Sequence, residues 1–419
     1  MTNKPLLSII IATRNRVPYC KNVIKSILSN KYTDFELIIQ DNSETLYLEK
    51  FVKSEIHDPR LRYRYTPPPF SSIDNFNAAI ERASGRYLCL IGDDDGINPE
   101  IFKITEWADK NSIDAIVPEI KAMYWWPDAC QVVENLKRHN GLLKILKTNG
   151  TVRQFSTKNS INELMKSGGQ NYLYLNFPKL YHGILRREFM DKIKEQTGYY
   201  VGGLSPDIYI AVALTTFIKT IIRIDYPLTI AGVCVASTSA DSAAKKDKGR
   251  LEDTPHFRDR GKYDWSNQVP KFYSGINIWA DSAIASLRDF GKDNVIKRFN
   301  VFAVTNHNLK AHSEYRELIL DNLFINCNVN SKIGKRWCLK KLFIKQLYRK
   351  FSTFCTRVNR KVDKTLRYNK RNHLIEEKSI SGIEDIFKAT TDMSEYLATQ
   401  TLTLDDVLKE LDRKYSKKV

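Results

Sequence analysis

The sequence has little that would mark a secreted, zinc-bound or membrane-embedded chain. Its seven cysteines, Cys20, Cys89, Cys130, Cys234, Cys327, Cys338 and Cys355, are odd in number, scattered, and never spaced as Cys-x-x-Cys. That pattern excludes a zinc ribbon and a disulfide framework and points to a reducing compartment. No apolar run is long enough for a bilayer helix: the longest region, Ala211 to Ala236, is broken by Lys219, Arg223, Asp225 and Pro227. The opening Met1-Thr2-Asn3-Lys4-Pro5 runs straight into a strand-like segment, without the charged and apolar regions of a signal peptide. A cytoplasmic location is therefore expected. Acids are scarce in one place. Between Lys332 and Arg371 a single acid, Asp363, faces fifteen Lys and Arg residues, so this segment carries +14 of the chain's +18. What is present is size and apolar content: 419 residues, 42% of them apolar, suit one large domain with an appendage, or two domains.

The first 120 residues alternate between two patterns. Apolar runs at Leu6 to Ile11, Phe35 to Ile39, Leu61 to Tyr65, Leu88 to Ile91 and Ala115 to Val117 read as strands, several of them apolar on both faces. Between them Val23, Ile24, Ile27 and Leu28, then Asp74 through Ala83, then Ile101, Ile104 and Trp107 keep helical spacing. This alternation predicts an α/β layer with a mostly parallel sheet, whose ligands bind beyond the carboxyl ends of the strands. Those ends read Ala12-Thr13-Arg14-Asn15-Arg16, Gln40-Asp41-Asn42-Ser43 and Gly92-Asp93-Asp94-Asp95. Three adjacent carboxylates repel one another unless they stay hydrated or share a cation, and Mg²⁺ or Mn²⁺ with phosphate oxygens suits such ligands. An acidic turn capping the helix that starts near Pro99 is the plainer alternative.

Leu7-Ser8-Ile9-Ile10-Ile11-Ala12-Thr13-Arg14-Asn15-Arg16, Glu36-Leu37-Ile38-Ile39-Gln40-Asp41-Asn42-Ser43, Asn75-Phe76-Asn77-Ala78-Ala79-Ile80 and Ala83-Ser84-Gly85-Arg86-Tyr87, leading into the aspartates, form an ordered set. The set resembles the inverting family 2 glycosyltransferases, strongly over the first 110 or so residues and more weakly to about 235. The resemblance implies a GT-A fold, Rossmann-like with a mostly parallel sheet flanked by helices, followed here by a helical C-terminal extension. It implies that Ala12, Thr13 and Arg14 meet the nucleotide base, with Arg14 standing where the family has a stacking tyrosine. Asp41 resembles the acid that accepts from a uracil-type imide; a turn-forming Asp-Asn-Ser is the alternative. Asn77 falls on the donor side. The proline five residues past the metal-binding acid selects Asp94, with Asp93 on the ribose and Asp95 as the second metal position; counting Asp-x-Asp from the first acid selects Asp95 itself. The implied cofactors are Mn²⁺ or Mg²⁺ and a nucleotide-sugar donor, UDP-sugar above others.

Further on, Tyr124-Trp125-Trp126-Pro127 could stack on a pyranose or lie in the core. Ser205-Pro206-Asp207 has the chemistry of a helix start, and the resemblance implies that Asp207 is the general base, with plain capping as the rival role. His182 reads as structural or as a diphosphate contact. Thr238 to Asp264 reads as a lid, in which His256, Arg258 and Arg260 would close over the diphosphate or remain a solvated face. Asn267 to Asn326 returns to helical spacing. From Ile333 to Leu366 apolar residues recur on one face of a long basic helix, suited to an anionic membrane surface, with docking on its own domain as the alternative and nucleic acid not expected. Leu402, Leu404, Val407, Leu408 and Leu411 offer a terminal helix able to pair with another subunit.

The organisation read from these features is a catalytic domain over 1–237, a lid and helical region over 238–330, and a basic helix with a helical tail over 331–419. The expected activity is inverting transfer of a sugar to a hydroxyl of a surface polysaccharide or lipid-linked glycan, by a protein held peripherally at the inner membrane surface through 332–371. The rivals are a non-catalytic membrane-associated scaffold and a polyol-phosphate transferase.

Overall fold

The structure, a computed structural model, describes residues 4–129, 140–237, 248–344 and 376–416. Strands β1 (Leu7–Thr13) and β2 (Phe35–Asp41) are buried almost throughout, as a sheet covered on both faces requires. They pair in parallel from Leu7 with Phe35 to Thr13 with Asp41. β3 (Leu61–Tyr65) alternates half-buried and exposed side chains and closes one edge. Helices α1 (Val17–Leu28), α2 (Tyr47–Glu55) and α3 (Ser72–Arg82) return the chain between strands. α1 turns Tyr19, Cys20, Val23, Ile24 and Ile27 inward, the three- and four-residue spacing of one helical face. Ser71 caps α3, its hydroxyl accepting from the Asp74 N–H at 3.1 Å.

From the β3 edge the chain crosses back to lay β4 (Tyr87–Leu90) beside β1 on the side opposite β2. This reversal of strand order brings the carboxyl ends of β1, β2 and β4 side by side and opens a crevice beyond them. β5 (Gly96–Ile97), α4 (Ile101–Lys110) and β6 (Ala115–Pro118) follow. The stretch after residue 120, irregular in sequence, holds two further strands, β7 (Ala122–Trp125) and β8 (Leu142–Leu146), then β9 (Val152–Ser156), α5 (Ser160–Lys166), β10 (Ile184–Arg186), α6 (Glu188–Thr197), α7 (Pro206–Leu214), β11 (Thr220–Ile224) and β12 (Thr229–Val233). Among the described residues the main sheet runs β3-β2-β1-β4-β10-β6-β11-β9, with β10 antiparallel to both its neighbours.

Helix α7 is apolar on every side and fully wrapped, chiefly against α8 (Gly275–Asp289), which explains why it shows no amphipathic stripe. α9 (Val301–Ala311), α10 (Arg316–Asn326) and α11 (332–344) continue the helical region. The long basic helix expected from the sequence is described only over α11; the rest of that segment, residues 345–371, lies outside the described residues, as does the lid portion 238–247.

The tail does not stand apart. β13 (Glu376–Ile380) pairs antiparallel with β8 in a second sheet, ordered β13-β8-β7-β12-β5. α12 (Ile386–Ala398) and α13 (Leu404–Tyr415) lie on the catalytic domain: Leu404, Val407 and Leu411 join the core that holds Val23 and Leu37. Trp107 Nε1 donates to Asp412 Oδ1 at 2.7 Å. The apolar face expected to meet another subunit is thus spent on the chain's own core. No helix among the described residues is long and apolar enough to cross a membrane.

Candidate active site

The loop after β4 carries the three carboxylates, all buried, and each meets different partners. Asp95 points inward. Its Oδ1 accepts from the Gly232 N–H at 2.7 Å, and its Oδ2 accepts from the Gly92 N–H and the Tyr181 hydroxyl, each at 2.7 Å, with His182 Nε2 at 3.2 Å. Burial pushes the Asp95 carboxyl up, but His182, Gly232 and Tyr181 outweigh it and hold the group below its ordinary value. Gly232 is required here, because a Cβ would come within 1.9 Å of the Asp94 carbonyl oxygen. His182 adopts the left-handed conformation, φ 56°, and hydrogen-bonds Thr229 Oγ1 through Nδ1 at 2.9 Å. Both its nitrogens therefore face protein partners rather than a diphosphate, and Asp95 anchors the loop instead of presenting a metal ligand.

Asp93 and Asp94 face the crevice. Thr13 Oγ1, at the end of β1, donates to Asp93 Oδ2 at 2.5 Å. Arg16 spans the pair, with Nη1 2.8 Å from Asp93 Oδ1 and Nη2 2.9 Å from Asp94 Oδ2, and it also donates to Cys234 Sγ at 2.7 Å. Burial pushes Asp94 up to about 7 against the pull of Arg16, with Asp95 and Asp93 adding to the rise. Asp94 also shares a side-chain hydrogen bond with Cys234, whereas the oxygens of Asp93 and Asp95 meet nitrogens or hydroxyls. No three described His, Cys, Asp or Glu side chains converge on a common metal position. A divalent cation here would be held by the Asp94 carboxylate, with phosphate oxygens and water filling most of its shell.

The ends of β1 and β2 are tied together by Asn75, whose amide donates to Thr13 O at 3.1 Å and Gln40 O at 3.3 Å. Asp41 is fully buried; Oδ1 accepts from the Ser43 N–H at 2.8 Å and Ser43 Oγ at 2.5 Å, and Oδ2 from the Tyr63 hydroxyl at 2.8 Å. These are the bonds of an Asx turn, so a base imide would have to share an oxygen that already has a partner. Ala12 is half-buried beside Thr13. Arg14 donates to Phe70 O at 3.3 Å and to Asp259 Oδ2 at 3.1 Å, and lies 3.5 Å from Glu44, so it latches the segment around Asp259 to the first loop. Asn77 does not face the crevice. Its Oδ1 accepts from the N–H groups of Tyr200 (2.8 Å) and Val201 (3.0 Å), and its Nδ2 donates to Val201 O at 2.9 Å. It fixes the entry to the segment that carries Asp207.

Ser205 is the N-cap of α7 and Pro206 follows at its start, as read from the sequence, but the Ser205 hydroxyl donates to Asp207 Oδ1 instead of capping the backbone. The N–H groups of Leu204 and Ser205 donate to Ser282 Oγ at 3.0 and 2.9 Å, which pins the loop to α8. Burial raises the Asp207 carboxyl above 3.8, opposed by Ser205, by the N–H groups of its own helical turn and by Lys179. Burial in turn lowers the Lys179 ammonium to about 8. Asp207 adds to the burial that raises the phenols of Tyr172 and Tyr181. Tyr181 therefore lies between the aspartate loop, to which it donates, and the field of Asp207.

His256 packs beside Tyr273, its ring centroid 5.7 Å away, and burial lowers its imidazole to about 4, so it is neutral near pH 7. Arg260 donates to Gly202 O at 2.6 Å, joining the same segment to the Asp207 loop. In the aromatic cluster Tyr124 and Trp126 belong to the core, where Trp126 Nε1 donates to Asp94 O at 3.0 Å and floors the aspartate loop, while Trp125 is half-buried. The residues missed by sequence reasoning are Arg16, Tyr181, Lys179 and Gly232. Arg16 stands inside a stretch already marked as a polar strand end and Tyr181 adjoins His182, but nothing in their spacing says which carboxylate they meet.

Residues 8–163 match the family model described as glycosyl transferase family 2. A putative colanic acid biosynthesis glycosyl transferase of Escherichia coli K12 is 36% identical over 101 residues, 24% of this chain and 36% of that protein. A putative teichuronic acid biosynthesis glycosyltransferase of Bacillus subtilis 168 is 32% identical over 97 residues, 23% of this chain and 38% of that protein. The matches thus span little more than a third of these relatives. A crystal structure of S. aureus TarS with UDP-GlcNAc aligns with 82% of this chain and 91% of that one at 14% identity and a TM-score of 0.47. The chain carries, over residues 8–163, a glycosyl transferase family 2 domain.

Proposed function

We propose that this protein transfers a sugar, with inversion, from a UDP-sugar to a hydroxyl of a surface polysaccharide or lipid-linked glycan. The observation that carries the reading is the placing of two buried carboxylates, Asp93 and Asp94, bridged by Arg16 and tied to the end of β1 by Thr13, beyond the carboxyl ends of the strands, with a further carboxylate, Asp207, at the start of α7. The family match over the residues that build the crevice supports the reaction class, and the two bacterial relatives, assigned to colanic acid and teichuronic acid biosynthesis, support a surface polysaccharide as its destination.

In this reading Asp207 takes the proton of the acceptor hydroxyl, whose oxygen bonds to the anomeric carbon as the bond from that carbon to the diphosphate oxygen breaks on the opposite face. Mn²⁺ or Mg²⁺ bound at Asp94 would supply positive charge for the departing diphosphate. Thr13 and Asp95 keep the aspartate loop in place, and Asn77 and Ser282 do the same for Asp207. The raised Asp207 carboxyl is a stronger base than an ordinary exposed one. The test is thermal: UDP should raise the melting temperature only when Mn²⁺ or Mg²⁺ is present, and Asp94→Ala should abolish that rise. A rise without metal, or one that survives Asp94→Ala, removes the metal role at Asp94; UDP-sugars left unconsumed with metal present would remove the transferase itself.

Peripheral attachment to an anionic membrane surface belongs to the same proposal. α11 seats Cys338 and Leu342 against Leu323 and Phe324 of α10, while Ile333, Trp337 and Ile344 remain 70%, 65% and 53% exposed. These three recur at intervals of four and seven, one helical face, and the helix has five Lys or Arg residues and no acid.

A further inference from the structure

Arg16 has no role in the reading above, yet it holds the closest position to its central carboxylates. It is the N-cap of α1, and its guanidinium reaches Asp93 and Asp94 with a different nitrogen for each. The two side chains it bridges are 2% and 6% exposed, whereas that of Arg16 is 21% exposed. Arg16 is thus the most exposed of the three side chains, although its Nε is buried. Its ring neighbour is Tyr19, with the guanidinium carbon 5.6 Å from the ring centroid. Buried Arg16 Nε has no hydrogen-bond partner among the described residues, so its donor fork is not fully used.

We propose that Arg16 is the resident counter-ion of the Asp93 and Asp94 carboxylates, and that it makes cation binding at Asp94 conditional on a diphosphate arriving with the cation. The inference rests on the reading of Asp94 as the cation-holding residue. A bare divalent ion at the Asp94 carboxylate would sit close to the guanidinium on Oδ2, and like charges at that range repel. It could settle only by driving Arg16 off two buried carboxylates and leaving it the uncharged Cys234 thiol as hydrogen-bond partner. A cation that carries a diphosphate brings the missing anion. Guanidinium forks suit phosphate oxygens as well as carboxylates, so Arg16 can keep a partner while the pair takes the metal.

The experiment is a MnCl2 titration of the full chain, with free Mn²⁺ followed by electron paramagnetic resonance, without nucleotide and with saturating UDP. Arg16→Gln should tighten nucleotide-free Mn²⁺ binding by about tenfold, within the usual range of coupling between two ligands of one site. UDP should then tighten Mn²⁺ binding more in the native protein than in Arg16→Gln. Equal nucleotide-free affinities, or equal gains from UDP, overturn the inference while leaving Asp94 in its role. If Asp94→Asn binds Mn²⁺ with UDP as tightly as the native protein, the role of Asp94 fails and the inference falls with it. Should Arg16→Gln not fold, Arg16→Lys, whose single ammonium cannot serve both carboxylates as a fork does, is expected to tighten nucleotide-free binding in the same direction; no change in it counts against the inference.

Discussion

Three consecutive aspartates end in three different physical situations because each meets different donors. Asp95 is satisfied by two backbone N–H groups, a phenol and an imidazole; Asp93 by a threonine and half of a guanidinium; Asp94 by the other half and a thiol. The same reasoning applies to Asp207, whose carboxyl is raised above 3.8 by burial. A base must be deprotonated to work, so kcat/KM should fall as pH drops through that raised value. The acid limb is therefore expected above the ordinary aspartate range, measured as kcat/KM against pH with a UDP-sugar and acceptor. Asp207→Asn should lower kcat by roughly 10²- to 10⁴-fold, the usual weight of general-base catalysis, while UDP binding survives. Lost UDP binding together with a lowered melting temperature would mark Asp207 as a residue of the loop's architecture alone.

At the scale of the element, a helix is defined by what each face meets. α7 meets protein on all sides and can be apolar throughout, whereas α11 has one face on α10 and one turned outward. Lys340 Nζ lies 5.2 Å from the Trp337 ring centroid, so the outward face mixes a cation with the largest apolar group it displays. Such a face gains from the interface of an anionic bilayer, where rings sit at the headgroup level and ammonium groups meet phosphates. Trp337→Glu is expected to reduce co-sedimentation with phosphatidylglycerol vesicles several-fold while leaving the melting temperature unchanged, because Trp337 packs on nothing it would expose. Unchanged vesicle binding in Trp337→Glu and in Ile333→Glu would end the membrane reading.

Across the whole molecule the ends of the chain cooperate. The first strands and the last two helices share one core, and β13 adds an edge to a sheet whose opposite edge, β5, follows the aspartates directly. Removing everything after residue 331 would therefore strip cover from the catalytic domain as well as the basic segment, which is why point substitutions in α11 are the cleaner probe. Leu411 is fully buried, and Leu411→Ala is expected to cost about 2–5 kcal/mol, as large-to-small changes in packed cores do. The measurement is a denaturant melt, in which a loss below about 0.5 kcal/mol, typical of surface positions, would show that α13 does not belong to the core.

Local pattern determined much of this protein. Strands buried on both faces must be uniformly apolar, and helices on a sheet must repeat every three or four residues, so β1 to β4, β6 and α1, α3 and α4 were legible in the sequence. So was the concentration of polar residues at the strand ends, because the crevice of a parallel sheet falls there whatever the chemistry. The stretch holding β7 and β8 was not legible, since neither strand completes a sheet until β12 and β13 arrive from far along the chain. Nor could the sequence distribute partners. Asp93, Asp94 and Asp95 are alike in a string of letters; Arg16 far upstream and Tyr181, His182 and Gly232 far downstream make them different. Leu411 is an apolar residue at helical spacing whether it meets a second subunit or its own domain. Only the tertiary structure chose, because burial and hydrogen-bond partnership depend on which distant segments come within a few ångströms, and spacing along the chain carries no record of that.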